Sequence, residues 1–355
     1  MKIMYVDIAI DGHHLSYLNE LLNGNNAESI IVLPEKVKGL SCKQYTYFPV
    51  DMRNKKIGKF NCWINEIKAI AEREKPDIIH FLYGDVFYKF FGLGLSKLRK
   101  YKIVVALHRI RTGRLEKIST RRICRRVDVV IVHSEFMKRE IEEYGAQHVV
   151  CIDYPQFNTA NVERSRALGF WNLRGDIPVV ACIGNTRFEK GLDILLEALK
   201  KVDVPFQLLV AGKAEAFDKD YIKEHTKSYQ DKVTTHMTFL SDDELNYALA
   251  ASSIIALPYR KTFEAASGPM GEGVRLGKCI VGSGHKNLGN TIRENNLGYT
   301  FEPENPDSLA EAIKKALSTE FKIDKNYRAY QKALRPKIFV EKHLKLYSGL
   351  VERKC

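Results

Sequence analysis

Short apolar runs bounded by turn residues alternate with amphipathic stretches along the chain, the pattern of βαβ units feeding a parallel sheet. In the first half, Lys2–Ile8, Ser29–Leu33, Asp77–Phe81, Ile103–Leu107, Val127–His133 and Val149–Ile152 read as strands. Leu15–Leu22, Cys62–Arg73 and Glu135–Tyr144 carry helical periodicity between them. After Pro155 the pattern fades through a polar stretch, residues 158–176, and then a second series begins. It predicts strands at Pro178–Ile183, Phe206–Ala211, Val233–Thr238, Ile254–Leu257 and Cys279–Ser283, with helices at Leu192–Lys200, Asp242–Ala250, Gly271–Leu276 and Ser308–Leu317. A last helical pattern, Arg335–Val351, spaces Ile338, Phe339, His343, Leu344, Tyr347 and Leu350 along one face.

The expectation is an α/β protein of two doubly wound, Rossmann-like domains facing a cleft. The first spans 1–165 and the second 175–334, with a C-terminal helix, 335–355, packing back on the first. A chain of 355 residues exceeds one ordinary core and accommodates two domains of about 150 residues each. In such sheets ligands bind beyond the carboxyl ends of the strands, so the informative residues are those just after each strand.

Composition narrows the class. Hydrophobic residues make up 45% and charged residues 28%, a globular profile that excludes disorder. The opening run, Met1–Ile10, ends in a polar loop and reads as a first strand rather than a signal peptide. No stretch approaches the ~20 apolar residues of a membrane span. The seven cysteines are scattered and never spaced as CxxC, which argues against a disulfide framework or zinc site and for a reducing cytoplasm. The expectation is a cytoplasmic protein whose membrane contact, if it has one, is peripheral at the inner face.

Charge adds an asymmetry. Residues 1–150 hold 26 Lys and Arg against 17 Asp and Glu, and within them residues 97–126 carry twelve basic side chains against Glu116 alone. Such a face attracts phosphates, whether on nucleic acid, anionic lipid or a small molecule, and charge alone does not choose among them. A solvated basic helix is the bland reading. Gly92 and Gly94 lack a preceding strand and a third glycine, so they read as helix packing or a turn rather than a dinucleotide fingerprint.

Two segments concentrate candidate chemistry. In Leu257–Ser283 a strand leads into a loop holding Glu264, Ser267, Gly268, Pro269 and Met270, and a helix starts near Pro269 and carries Glu272 in its first turn. A helix N-terminus favours an anion such as a diphosphate, and proline suits its first position. Glutamates beside such a site are suited to accept hydrogen bonds from sugar hydroxyls; alternatively Glu272 merely complements the helix dipole. In the second segment, Gly184 follows a strand, and Arg187 and Lys190 stand in the loop before the next helix, where two cations can clamp a pyrophosphate. Permanent positive charge there stabilises a departing nucleoside diphosphate.

Together these segments resemble the GT-B glycosyltransferases, specifically glycosyltransferase family 4. The likeness extends over most of the chain: the Gly12 loop with His13, Lys75–His80, the strand ending at His108, Val127–Ser134, Gly184 through Gly191, Leu209–Gly212, the Glu264 and Glu272 pair, and Gly277–Val281. The resemblance implies a retaining, metal-independent transfer from a nucleoside-diphosphate sugar to a saccharide or lipid-linked acceptor, in bacterial-type polysaccharide or glycan assembly, with no cofactor. By that likeness Arg187 and Lys190 hold the donor diphosphate, Glu272 binds the ribose and Glu264 faces the donor sugar. The amides of Ser267–Met270 lie near sugar and phosphates, His108 contacts the hexose and Gly12 approaches the phosphates. The family's usual glycine three residues after the first glutamate is replaced by Ser267, so donor identity does not carry over. A sugar-nucleotide epimerase of the same fold is the alternative. A nucleic-acid-binding protein is disfavoured, because no RNP-like motif or recognition helix accompanies the basic face.

Overall fold

The computed structural model describes residues 1–10, 13–47, 57–111, 113–157, 160–263 and 266–352. The chain forms two compact units, Met1–Phe157 with Arg335–Cys355, and Asn158–Leu334. Gly12 and Glu264 lie outside the described residues.

The first unit is built on a parallel sheet of seven strands: β1 (Lys2–Val6), β2 (Glu28–Leu33), β3 (Lys43–Thr46), β4 (Ile78–Phe81), β5 (Lys102–Leu107), β6 (Val129–Val132) and β7 (Val149–Cys151), in the order β3-β2-β1-β4-β5-β6-β7. Both faces are covered, which is why its central strands read as continuous apolar runs. Met4, Val6, Val32 and Val105 face Trp63, Ile67 and Ile123. Ile3, Tyr5, Val104 and Ile131 face Tyr17, Leu21, Phe339 and Tyr347. The last two come from the C-terminal helix Pro336–Glu352. Strand β3 has no sequence signature, because Lys-Gln-Tyr-Thr is an edge segment with no buried residue. Its pairing with β2 and the anchoring of Lys43 and Tyr45 on the buried Glu74 hold it in place.

The second unit carries six parallel strands: β8 (Val179–Ile183), β9 (Gln207–Ala211), β10 (Val233–His236), β11 (Ile254–Leu257), β12 (Cys279–Ser283) and β13 (Gly298–Phe301), in the order β10-β9-β8-β11-β12-β13. Residues 160–165 belong to this unit rather than to the first, because helix Arg164–Phe170 sends Ala167 and Leu168, followed by Trp171, into the second core. Strand β13 escapes the apolar pattern because it is short and opens on Gly298, where φ is +149° and a side chain would overlap the Ile280 carbonyl of β12.

In each sheet the strand order reverses once, between β1 and β4 and between β8 and β11. Such reversal points open a crevice beyond the carboxyl ends of the strands, where doubly wound proteins bind ligands.

Candidate functional site

The reversal point of the second sheet is flanked by the loops after β8 and after β11. The first begins at Gly184, whose φ of +110° is accessible at low cost only to glycine. A Cβ there would lie 2.7 Å from the Lys190 Nζ and 3.9 Å from the Pro269 Cγ. Gly184 is therefore the point where the cation of one segment and the helix start of the other come together. Beneath it, Gly212 after β9 has φ +148°, and a side chain would overlap the Gly184 backbone. Gly212→Ala is expected to lower the stability of this unit by about 2–4 kcal/mol; a thermal melt matching wild type would refute that reading of the turn.

Lys190 ends the short turn Phe188–Lys190. Its ammonium stands 5.9 Å from the Tyr259 ring centre. Burial holds its pKa below the ordinary lysine range, and the Arg187 charge pushes the same way. A half-buried cation, partly withdrawn from solvent, acts more strongly on an anion brought to it than a fully solvated one does. Arg187 is different: its side chain is 45% exposed and its Nη1 lies 3.2 Å from Glu189 Oε1. An exposed ion pair of this kind is worth little, so Arg187 can exchange that carboxylate for a phosphate at low cost.

Tyr259, directly after the Pro258 that follows β11, links the two segments. Its hydroxyl is 3.1 Å from Ser267 Oγ. Ser267 is the N-cap of helix Gly268–Arg275, and its Oγ accepts the Met270 amide at 3.3 Å. Pro269 thus occupies the second helical position rather than the first. With no N–H on Pro269 and the Met270 amide turned to its cap, Gly268 offers the outward amide of this turn, and the space beside its Cα is open.

Glu272 stands in the second turn of this helix, not the first, so complementing the helix dipole does not explain it. It is buried, and its Oε2 accepts Arg275 Nε at 2.9 Å. Burial raises its pKa and Arg275 opposes the rise, which leaves an oriented carboxylate able to accept hydroxyl donors. Arg275 escaped the sequence reading, although the Glu-x-x-Arg spacing on one helix was its visible signal. A further brace was missed: Arg260 donates to Asp193 Oδ2 at 2.6 Å, and its backbone amide donates to the Glu189 carbonyl at 2.9 Å, tying the two loops together.

In the first unit His108 follows β5 and is half-buried. Its ring Nε2 lies 2.8 Å from the Leu82 carbonyl and its amide donates to Asp85 Oδ1 at 2.9 Å. Burial pushes the Asp85 carboxyl up to about 6, against the pull of the His108 amide and of Arg109 and Arg111. His14 pairs with the buried Asp7 at 3.0 Å, and the rings of Tyr83 and His133 lie 5.1 and 4.7 Å from His108. The carboxyl edge of this sheet is therefore lined by imidazoles and phenols from several loops. Among the described residues no group of three or more His, Cys, Asp or Glu could hold a metal ion, and no helix is long and apolar enough to cross a membrane.

Two doubly wound parallel sheets, one with a glycine turn, a half-buried lysine and a serine-capped helix at its reversal point, make up the two-domain α/β fold of GT-B glycosyltransferases. Residues 165–334 match the family of glycosyl transferases group 1, and residues 27–153 match glycosyltransferase family 4. The chain belongs to these glycosyltransferases. A glycosyltransferase structure from Rickettsia africae superimposes with a TM-score of 0.77 at 19% identity, covering 99% of this chain and 98% of that one. Anabaena HepE in complex with UDP gives 0.75 at 15% identity over 98% and 100%. A glycogen synthase of Kosmotoga olearia is 28% identical over 149 residues, which is 40% of this chain and 31% of that protein. The matched stretches span about a third to a half of the first curated relatives' own length.

Proposed function

We propose that the chain transfers a sugar from a nucleoside-diphosphate sugar, held by the second unit, to a saccharide or lipid-linked acceptor presented by the first. The carrying observation is the convergence of Lys190, Gly184 and Pro269 at the reversal point of the second sheet. A diphosphate placed there meets the half-buried Lys190 ammonium, the Gly268 amide and, from the loop edge, Arg187. These groups stabilise the charge that develops as the bond to the anomeric carbon breaks, so the residues can carry the leaving group without a metal. Glu272, oriented by Arg275, then accepts the ribose hydroxyls. The transfer retains the anomeric configuration, as the family resemblance implies, and since no carboxylate among the described residues of this site stands out as a nucleophile, the leaving phosphate itself accepts the acceptor's proton. The UDP of Anabaena HepE makes uridine diphosphate sugars the first donors to try. The basic stretch 97–126 marks the surroundings of the acceptor as anionic, as at the inner face of a membrane.

The test is a panel of nucleotide sugars read by thermal shift and by release of nucleoside diphosphate. One donor is expected to raise Tm by several degrees and to be slowly hydrolysed. If none binds, the donor reading is wrong. Conversion of the bound sugar to an epimer without net release of nucleotide would replace transferase by epimerase.

A further inference from the structure

Helix Arg114–Cys124 packs on the first unit through Ser119, Thr120 and Ile123, all buried. Ser119 Oγ donates to the Tyr88 carbonyl at 2.8 Å, and Arg121 Nε to the Tyr144 carbonyl at 2.8 Å. The inner face is thus fully committed. The outer face is not a plain solvated surface: Leu115 and Ile118, three residues apart, are 64% and 42% exposed. Leu93, on the turn that seats Gly92 against Ile123 of this helix, is 40% exposed. Arg114, Lys117, Arg121, Arg122 and Arg125 surround these apolar side chains, all exposed, and Glu116 is the helix's one acidic residue.

A single exposed leucine needs no explanation. Two on one helical stripe, with a third on the adjoining turn and basic residues around them, have the composition of a helix that lies in a membrane interface. Nucleic acid would use the cations but gives Leu115 and Ile118 nothing to enter. An anionic bilayer uses both, the headgroups meeting Arg and Lys and the acyl boundary taking the leucine and isoleucine. Position agrees: the helix follows β5, so its first half, with Leu115 and Ile118, lies toward the carboxyl edge where His108 stands.

We infer that the outer face of helix Arg114–Cys124, together with Leu93, docks on an anionic lipid surface with Leu115 and Ile118 inserted at the headgroup boundary. The acceptor on which the proposed transfer acts is accordingly lipid-linked and reaches the sheet edge along this helix. That last step rests on the transferase reading; the docking does not.

Full-length protein is incubated at low salt with phosphatidylcholine vesicles with or without phosphatidylglycerol. It is expected to sediment with the anionic vesicles and to be released by salt. Leu115→Ser with Ile118→Ser should weaken the partition roughly tenfold or more, with an unchanged melt and an unchanged nucleotide-sugar shift. Leu115→Trp should show a blue-shifted emission on the same vesicles. Protein that stays in the supernatant overturns the inference. So does a double variant that binds undiminished, which would mean adsorption by charge alone, or a duplex oligonucleotide that binds more tightly than the vesicles. Vesicle binding without any nucleotide-sugar binding would leave the docking standing and remove the transferase reading.

Discussion

Lys190→Met is expected to lower turnover about a hundred- to a thousand-fold, the size of effect seen when one preorganised charge-stabilising group is removed, while Tm stays level or rises. The two halves of this expectation come from one fact. Burial depresses the Lys190 pKa, so the folded unit bears the cost of a poorly solvated ammonium held against the Gly184 turn. The apolar stem of methionine fills the same path past Tyr259 without that cost. A residue kept for packing would show the reverse, a lower Tm with turnover reduced only in proportion to folded protein. The linkage has a definite sign: with the folded pKa below the unfolded value near 10.4, the unfolded chain binds more protons at alkaline pH. The wild-type unit should therefore gain stability as pH rises toward that value, and the methionine variant should gain less. Turnover within a factor of three of wild type would remove Lys190 from the donor site.

Much of the architecture is legible in the chain because parallel strands covered on both faces leave unbroken apolar runs. Those of β1, β4, β5, β8, β9, β11 and β12 all appear in this way. What escapes is held by tertiary contacts: β3 by Glu74 and its pairing with β2, β13 by the close approach at Gly298, and helix Arg164–Phe170 by the burial of Ala167 and Leu168.

Within the site, glycine and charge mark positions but not connections. The spacing of Gly184, Arg187 and Lys190 is visible in the sequence, yet it does not reveal that Lys190 is half-buried and Arg187 exposed. That difference arises because Lys190 folds under Gly184 toward Tyr259, while Arg187 is held at the surface by Glu189. Nor could the spacing show that Tyr259 joins the cation to Ser267, or that Arg275 orients Glu272 from a full turn along the helix. In the first unit His108 was marked by its place after a strand. The rings packed against it, Tyr83 and His133, follow β4 and β6, so sequence proximity carries none of it.

Those same distant pairings set the acid limit of the first unit. His80, on β4, is fully buried with its Nδ1 2.7 Å from the Tyr347 hydroxyl, and His343 is fully buried with its Nε2 3.3 Å from the Tyr17 hydroxyl. Tyr347 and His343 belong to the C-terminal helix, so His80 fastens that helix to the sheet and His343 fastens it to helix His13–Asn23. The groups facing them are Tyr5, Tyr17, Tyr347, His108, His133 and Lys342, with no carboxylate among the described residues beside them to stabilise an imidazolium. Burial accordingly drives the His80 pKa well below the usual range and that of His343 down to about 3. Above the unfolded value near 6.5 both states are neutral and the contribution is complete. As pH falls below it, the unfolded chain takes up protons that the folded unit refuses, and stability drops by up to about 1.4 kcal/mol per pH unit for each histidine. Between pH 7 and pH 5 the pair should cost roughly 4 kcal/mol, well before Glu74, whose paired carboxyl is held down to about 2, begins to contribute. His343→Gln keeps an amide within reach of Tyr17 but cannot titrate, so urea melts across this range should show about half the wild-type slope. If the slope is unchanged, the acid sensitivity does not come from the seat of the C-terminal helix.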